Sequence, residues 1–156
     1  INAKVLEIKL DKKASATIGF TGDKLIASTS GNSSLDITRD VKIDDITVEG
    51  LSGIVTKGSS EEMTLIAKGA AKAILNGKTT SAAYTMGGTT NVNAVNLENR
   101  LTSVSMSGLC SLTESATDSL KVNLSSGAKL IFNNKPAFIV ENVKASSIVK
   151  YNKDSK

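Results

Sequence analysis

The chain contains no His and no Trp, and only one Pro and one Cys. Missing histidine removes the commonest general base and the commonest metal-binding side chain together. A single Cys excludes an internal disulfide and a cysteine metal cluster. Aromatic residues make up 3% of the 156 residues, too few for a base-stacking platform. No window approaches the ~18 consecutive apolar residues of a membrane-spanning helix. These absences point away from an enzyme.

What is present is a folded composition, 40% hydrophobic and 22% charged, with a net charge of +4 and a pI near 9.2. A basic balance can mark nucleic-acid binding. Here the lysines are scattered, with Lys12-Lys13 the one adjacent pair, and the aromatics Phe20, Tyr84, Phe132, Phe138 and Tyr151 are not interleaved with them. A solvated, mildly basic surface and no nucleic-acid partner are expected. The abundance of Ser, Thr, Asn and Gly suits an extracytoplasmic surface. The chain starts at Ile1 rather than Met, so a processed leader or a removed segment is expected upstream.

The sequence repeats. Gly31, Gly50, Gly69, Gly88 and Gly108 stand 19, 19, 19 and 20 apart, and Ser126-Gly127 continues the row. Four residues before it lie Ile46, Leu65, Tyr84, Val104 and Val122; two before it, Val48, Ala67, Met86, Met106 and Leu124. Two after it lie the small residues Ser52, Ala71, Thr90, Cys110 and Ala128; four after it, Leu35, Ile54, Ala73, Val92, Leu112 and Leu130. Alternation of period two is the mark of strands. Its recurrence at fixed spacing predicts an all-β, parallel β-helix of about 19 residues per coil, with like residues stacked about 4.8 Å apart. Glycine at the row supplies the positive φ of a sharp corner. The hairpin signal Asn76-Gly77 keeps a rival open, a meander folded into a sandwich. That rival gives no reason for the same column to be small in every repeat.

The clusters 57–62, 76–81 and 115–119 read as return turns. The helix propensity of 61–73 is overruled by Gly69 and by the repeat. A single domain, 1–156, is expected. Residues 1–24, with Leu6, Ile8 and Leu10 on one face, are read as an N-terminal cap. Pro136 and the run Phe138-Ile139-Val140 depart from the repeat, and the tail 150–156 is expected to fray.

Phrases such as Leu120-Lys121-Val122-Asn123-Leu124-Ser125-Ser126-Gly127-Ala128-Lys129-Leu130, and the late Lys144-Ala145-Ser146-Ser147-Ile148, resemble the head GIN domain family, described as adhesins of the autotransporter kind and found in gut Bacteroidetes. The resemblance spans roughly residues 25–150. It implies a right-handed β-helix of pectin-lyase type without that superfamily's catalytic residues, an extracytoplasmic location and an adhesion role. Gly108-Leu109-Cys110 and Gly69-Ala70-Ala71 stand where the family carries Gly-Ser-Gly corners.

Among chemical candidates, Asp40, Asp44 and Asp45, with Asp36 and Glu49 near them in sequence, form the densest acidic group. Clustered carboxylates on a β-helix bind calcium or act as acid and base. A solvated turn is the expectation here, and whether Asp40, Asp44 and Asp45 hold a cation stays open. Glu61-Glu62 has the same reading. No Gly-x-Ser-x-Gly elbow occurs. Gly87-Gly88 and Gly50-Leu51-Ser52-Gly53 are repeat corners rather than phosphate loops. Cys110 is expected as a buried small residue, and Tyr84 as an inward one, which leaves Tyr151 for sugar stacking.

No catalytic, cofactor-binding or metal-binding residue is assigned, and no cofactor is expected. The function expected is a non-enzymatic module of cell adhesion or surface scaffolding. A carbohydrate-binding or carbohydrate-active β-helix is the alternative. Partners would be host or cell-surface glycans or proteins. The location would be the cell surface, the outer membrane or the periplasm. Self-association through coil ends is a further option, against which Pro136 leans.

Overall fold

The structure, a computed structural model, describes residues 2–38 and 42–152. It contains strands and turns and no helix among those residues. The strands are β1 (Val5–Leu10), β2 (Ser15–Ile18), β3 (Lys24–Thr29), β4 (Ser34–Ile37), β5 (Ile43–Val48), β6 (Gly53–Ala67) and β7 (Lys72–Gly88), followed by β8 (Asn91–Gly108), β9 (Ser111–Glu114), β10 (Ala116–Ser125), β11 (Lys129–Phe132), β12 (Ala137–Val143) and β13 (Ile148–Tyr151). Every strand pairing is parallel, and the chain winds as a β-solenoid of about 8 turns roughly 19 residues apart.

Each coil has two apolar-cored sides. The first side stacks Ile8, Ala27, Ile46, Leu65, Tyr84, Val104, Val122 and Val140 in one column. The second stacks Ala16, Leu35, Ile54, Ala73, Val92, Leu112, Leu130 and Val149. Met86 lies on Met106 and Gly88 on Gly108, as the columns require. Inward residues from Leu25 to Leu130 are nearly all below a few per cent exposed, so the core is one continuous prism. The parallel pairing excludes the sandwich, and Asn76-Gly77 does not turn a hairpin. It lies in register on Lys57-Gly58.

The corner between the two sides is the glycine row. Gly31, Gly50, Gly69, Gly88 and Gly108 all have φ between 69° and 94°, where a side chain is strained. Space forbids one as well: a Cβ on Gly50 would stand 2.8 Å from the Gly31 carbonyl oxygen, and one on Gly69 3.0 Å from that of Gly50. Lys12 (φ 63°) begins this row, and Ser126 (59°), Ala145 (54°) and Ser146 (63°) continue it without glycine. The small column follows from the same corner. Ser33 Oγ donates to the Ser30 carbonyl at 2.7 Å, and Cys110 Sγ to the Ser107 carbonyl at 3.5 Å. Ser52 Oγ donates likewise to the Glu49 carbonyl. Each satisfies an acceptor that the sharp bend would otherwise leave unpaired.

Two expectations are corrected. The return segments are not free turns: residues 57–60 and 62 pair with 76–79 and 81 inside the long strands β6 and β7. Stacking gives most of these bend residues a partner in the next coil, so Gly- and Ser-rich backbone is held as strand. The run Phe138-Ile139-Val140 does not leave the repeat either. It belongs to β12, which pairs with β10, with a bulge after Val122. Pro136 lies just before the strand, where no ladder N–H is needed.

At the N-terminal end, residues 5–10 pair with 24–29 as a regular first coil. Tyr151 still pairs with Phe132. Residues 153–156 lie outside the described residues, so the frayed-tail expectation falls largely there.

Candidate functional site

The acidic group does not assemble. Asp40 lies outside the described residues. Asp36 sits outward on the second side, between Thr17 and Val55. Asp45 is on the first side beside Ile26 and Thr64, with its carboxylate 3.6 Å from Lys24 Nζ. Asp44 is the extra residue of a bulge, since Leu25 opposes Ile43 and Ile26 opposes Asp45. No group of three or more acidic, Cys or His side chains placed to hold a metal occurs among the described residues. Glu61 and Glu62 are exposed on the return side. Cys110 is buried, and burial pushes its thiol up.

Sequence reading missed the one buried acid among the described residues. Glu114 is fully buried. Thr102 Oγ1 donates to its Oε2 at 3.1 Å and also bonds Asn99 Oδ1. Desolvation pushes the Glu114 carboxyl up to about 7, against the opposing hydrogen bonds from Thr102, Ala116, Asn99 and Ser115. Its Oε1 has no partner, nor has the buried hydroxyl of Tyr84. Tyr84 feels this carboxylate, although desolvation is the larger cause of its raised pKa. Glu114 stands in the inward column directly below Phe132. The signal was available: Glu114 falls six residues after Gly108, where Ile37 and Leu75 follow Gly31 and Gly69. At 0% exposure, Glu114 is a residue of the core.

The open surface is a groove of about 360 Å³ on the second side, over the first four coils. Its geometry follows from two outward columns. Ser15, Ser34, Gly53 and Lys72 form one; Thr17, Asp36, Val55 and Ile74 form the other. Gly53 leaves the floor low. Ser15 and Ser34 share a hydrogen bond between hydroxyls at 2.9 Å. Val55 and Ile74 expose 37% and 45% of their surface, so the groove offers an aliphatic wall beside hydroxyls, one carboxylate and one ammonium. A second hollow of similar volume lies on the first side, over Gly87 and Gly88, walled by Lys68, Thr85 and Ser107.

Three of the five aromatics gather at the C-terminal end. The Phe132 ring lies 5.4 Å from Phe138, nearly parallel, and 5.5 Å from Tyr151. Tyr84 is inward and buried, as expected. Phe132 and Tyr151 stand 19 apart, which was the legible sign of their stacking.

These features define a class: a parallel β-solenoid with broad, ruled outer faces and a shifted carboxyl buried in the core. The chain belongs to the family described as "Putative auto-transporter adhesin, head GIN domain", whose profile matches residues 27–136. No curated protein and no solved structure shows significant similarity to it. The family and the fold are compatible with a cell-surface adhesion module.

Proposed function

We propose that the chain is a non-enzymatic recognition module of the cell surface or of secreted material, which binds glycan or protein surfaces along the groove of its second side. The observation that carries this reading is the groove itself, where Ser15, Ser34 and Asp36 stand beside the exposed aliphatic wall of Val55 and Ile74. Hydroxyl and carboxylate acceptors beside an apolar strip suit a polyhydroxylated ligand, whose C–H face and O–H edge need both. The family description supports the adhesive role, and with it an extracytoplasmic location.

The test is binding of the labelled protein to arrayed host and bacterial glycans and to intact cells. Ile74→Arg combined with Asp36→Asn should weaken binding at least tenfold while the melting curve stays unchanged, since both side chains are exposed. Undiminished binding by this variant would remove the groove from the proposal. Turnover of any bound polysaccharide would remove the non-enzymatic reading.

A further inference from the structure

The glycines of the corner row are there because the bend needs them. Gly53 is not. It begins β6, outside the positive-φ region that the corner glycines occupy. A Cβ built on it would meet nothing nearer than the Lys72 carbonyl oxygen at 3.9 Å. Backbone and space both accept a side chain, so the fold leaves this glycine unexplained. A glycine in a strand often marks the place where a ligand comes close. Here it opens a hollow one side chain deep in the floor of the groove. Ser34 and Lys72 bound the hollow along the column, and Val55 bounds it along the strand, with Ile74 in the next coil.

The charges around the hollow are unengaged. Asp45, Glu98, Asp118 and Glu141 each pair with a cation of a neighbouring coil. Asp36 and Lys72 stand two coils apart and have no ion-pair partner among the described residues. Between them lie the hollow and the exposed methyl groups of Val55 and Ile74. The groove thus sets an acceptor at one end, an aliphatic seat in the middle and a donor at the other. An amide that ends in a methyl group matches all three, since its N–H donates, its C=O accepts and its methyl is apolar. Related groups match less well. A free amine meets Asp36 but faces Lys72 with like charge. A carboxylate meets Lys72 but faces Asp36. A plain hexose offers a flat C–H face, and no aromatic side chain lines the groove to stack on it. Repulsion of the wrong group is as much a source of selectivity as attraction of the right one.

We propose that the hollow over Gly53 is a pocket for the acetamido group of an N-acetylated amino sugar, a reading that rests on the groove being the recognition face. The methyl group sits on Gly53 against Val55 and Ile74. The amide N–H donates to the Asp36 carboxylate, and the carbonyl accepts from Lys72 Nζ. The hydroxyls of Ser15 and Ser34, bonded to each other at 2.9 Å, continue the polar edge toward the ring hydroxyls.

The probes are N-acetylglucosamine, N-acetylgalactosamine and N-acetylmannosamine displayed on a polyacrylamide carrier. Each is compared, by biolayer interferometry, with the hexose and the free amine of the same configuration. At least one N-acetylated conjugate should bind, at least tenfold more tightly than its two relatives. Gly53→Thr fills the hollow with a strand-favouring residue and should cost at least tenfold in that binding, with the melting temperature unchanged or raised. Val55→Thr with Ile74→Thr keeps both side chains β-branched and should erase the acetyl preference, which keeps the test sound if Gly53→Thr does not fold. Ser105→Ala, on the first side, should change nothing. The pocket is overturned if no N-acetylated conjugate binds or if binding survives Gly53→Thr. It is also overturned if ligands lost with Ile74→Arg and Asp36→Asn bind equally without the acetyl group, or if cells stripped of glycans bind as well as intact ones. These results leave the groove as the recognition face, whereas binding untouched by Ile74→Arg and Asp36→Asn removes the groove and the pocket together.

Discussion

The two ends of the solenoid are built from the same coil and meet solvent differently. In the first coil Ile8 is 8% exposed and Phe20, just past it, is fully buried. In the last coil the residue stacked in the Ile8 column, Val140, is 54% exposed. The local pattern is equally apolar at both ends, so inward direction alone does not make a core residue. Apolar surface contributes its roughly 25 cal/mol per Å² only where it is taken out of water. Fold stability is therefore concentrated from the first coil to β11, and the last coil holds apolar surface in reserve.

The largest effect should come from the ring at the closed end. Phe20→Ala is expected to cost about 3–5 kcal/mol in urea unfolding, the usual penalty for emptying a buried aromatic site. Phe138→Ala should cost well under half as much. Similar costs would mean that the two ends are covered alike.

The reach of the open end into the core can be read from pH. Glu114 lies below Phe132, on which Tyr151 is stacked. Its folded pKa is raised from 4.5 to about 7, so the unfolded chain ionises first as pH rises. Its contribution is neutral below about 4.5 and becomes a loss that grows to about 3 kcal/mol by pH 7 and then levels off, at 1.36 kcal/mol per unit. Glu114→Gln should remove that downward slope between pH 4.5 and 7 and leave the protein more stable at pH 8. Parallel stability curves for the two proteins would show that water from the open end already reaches the carboxyl.

The small column sharpens the contrast further. Ala71→Phe should cost about 1–3 kcal/mol by overpacking a buried corner. Ser147→Phe, in the same column of the open coil, should cost no more than about 1 kcal/mol, the worth of the hydrogen bond from its Oγ to the Lys144 carbonyl. Equal penalties would show the last corner to be as tight as the others. The smallest effect is a gain: Ser126→Gly relieves a positive φ and should add about 1 kcal/mol, measurable as a raised unfolding midpoint.

The columns of the first and second sides were legible because period-two alternation repeats around a glycine that only a corner explains. The return side was not. Residues such as Lys57, Ser59 and Ser60 show no apolar alternation, and their pairing comes from the neighbouring coil rather than from their own propensity. Phe138-Ile139-Val140 looked irregular because Ile139, the outward residue stacked on Lys121, is as apolar as the two inward residues beside it. The acidic group was dispersed by topology: Asp36 and Asp45 are close in sequence but lie on different sides of the coil. Glu114 was overlooked because charged residues are read as outward, and the column position that contradicts this was not consulted. The groove is illegible in any one repeat, since Ser15, Ser34, Gly53 and Lys72 converge only when four coils are stacked.

The slips of register along the middle coils fall between Ile74 and Asn76 and between Ala116 and Ser119, both near the return side. Variation in repeat length is thus absorbed near the return side and, at Asp44 and after Val122, on the first side, and the second-side face of the groove stays evenly ruled at about 4.8 Å per coil. Such a face behaves as a ruler. Duplicating or deleting one coil would change the groove in whole steps without altering its cross-section, so binding reach could be adjusted by counting coils rather than by redesigning contacts.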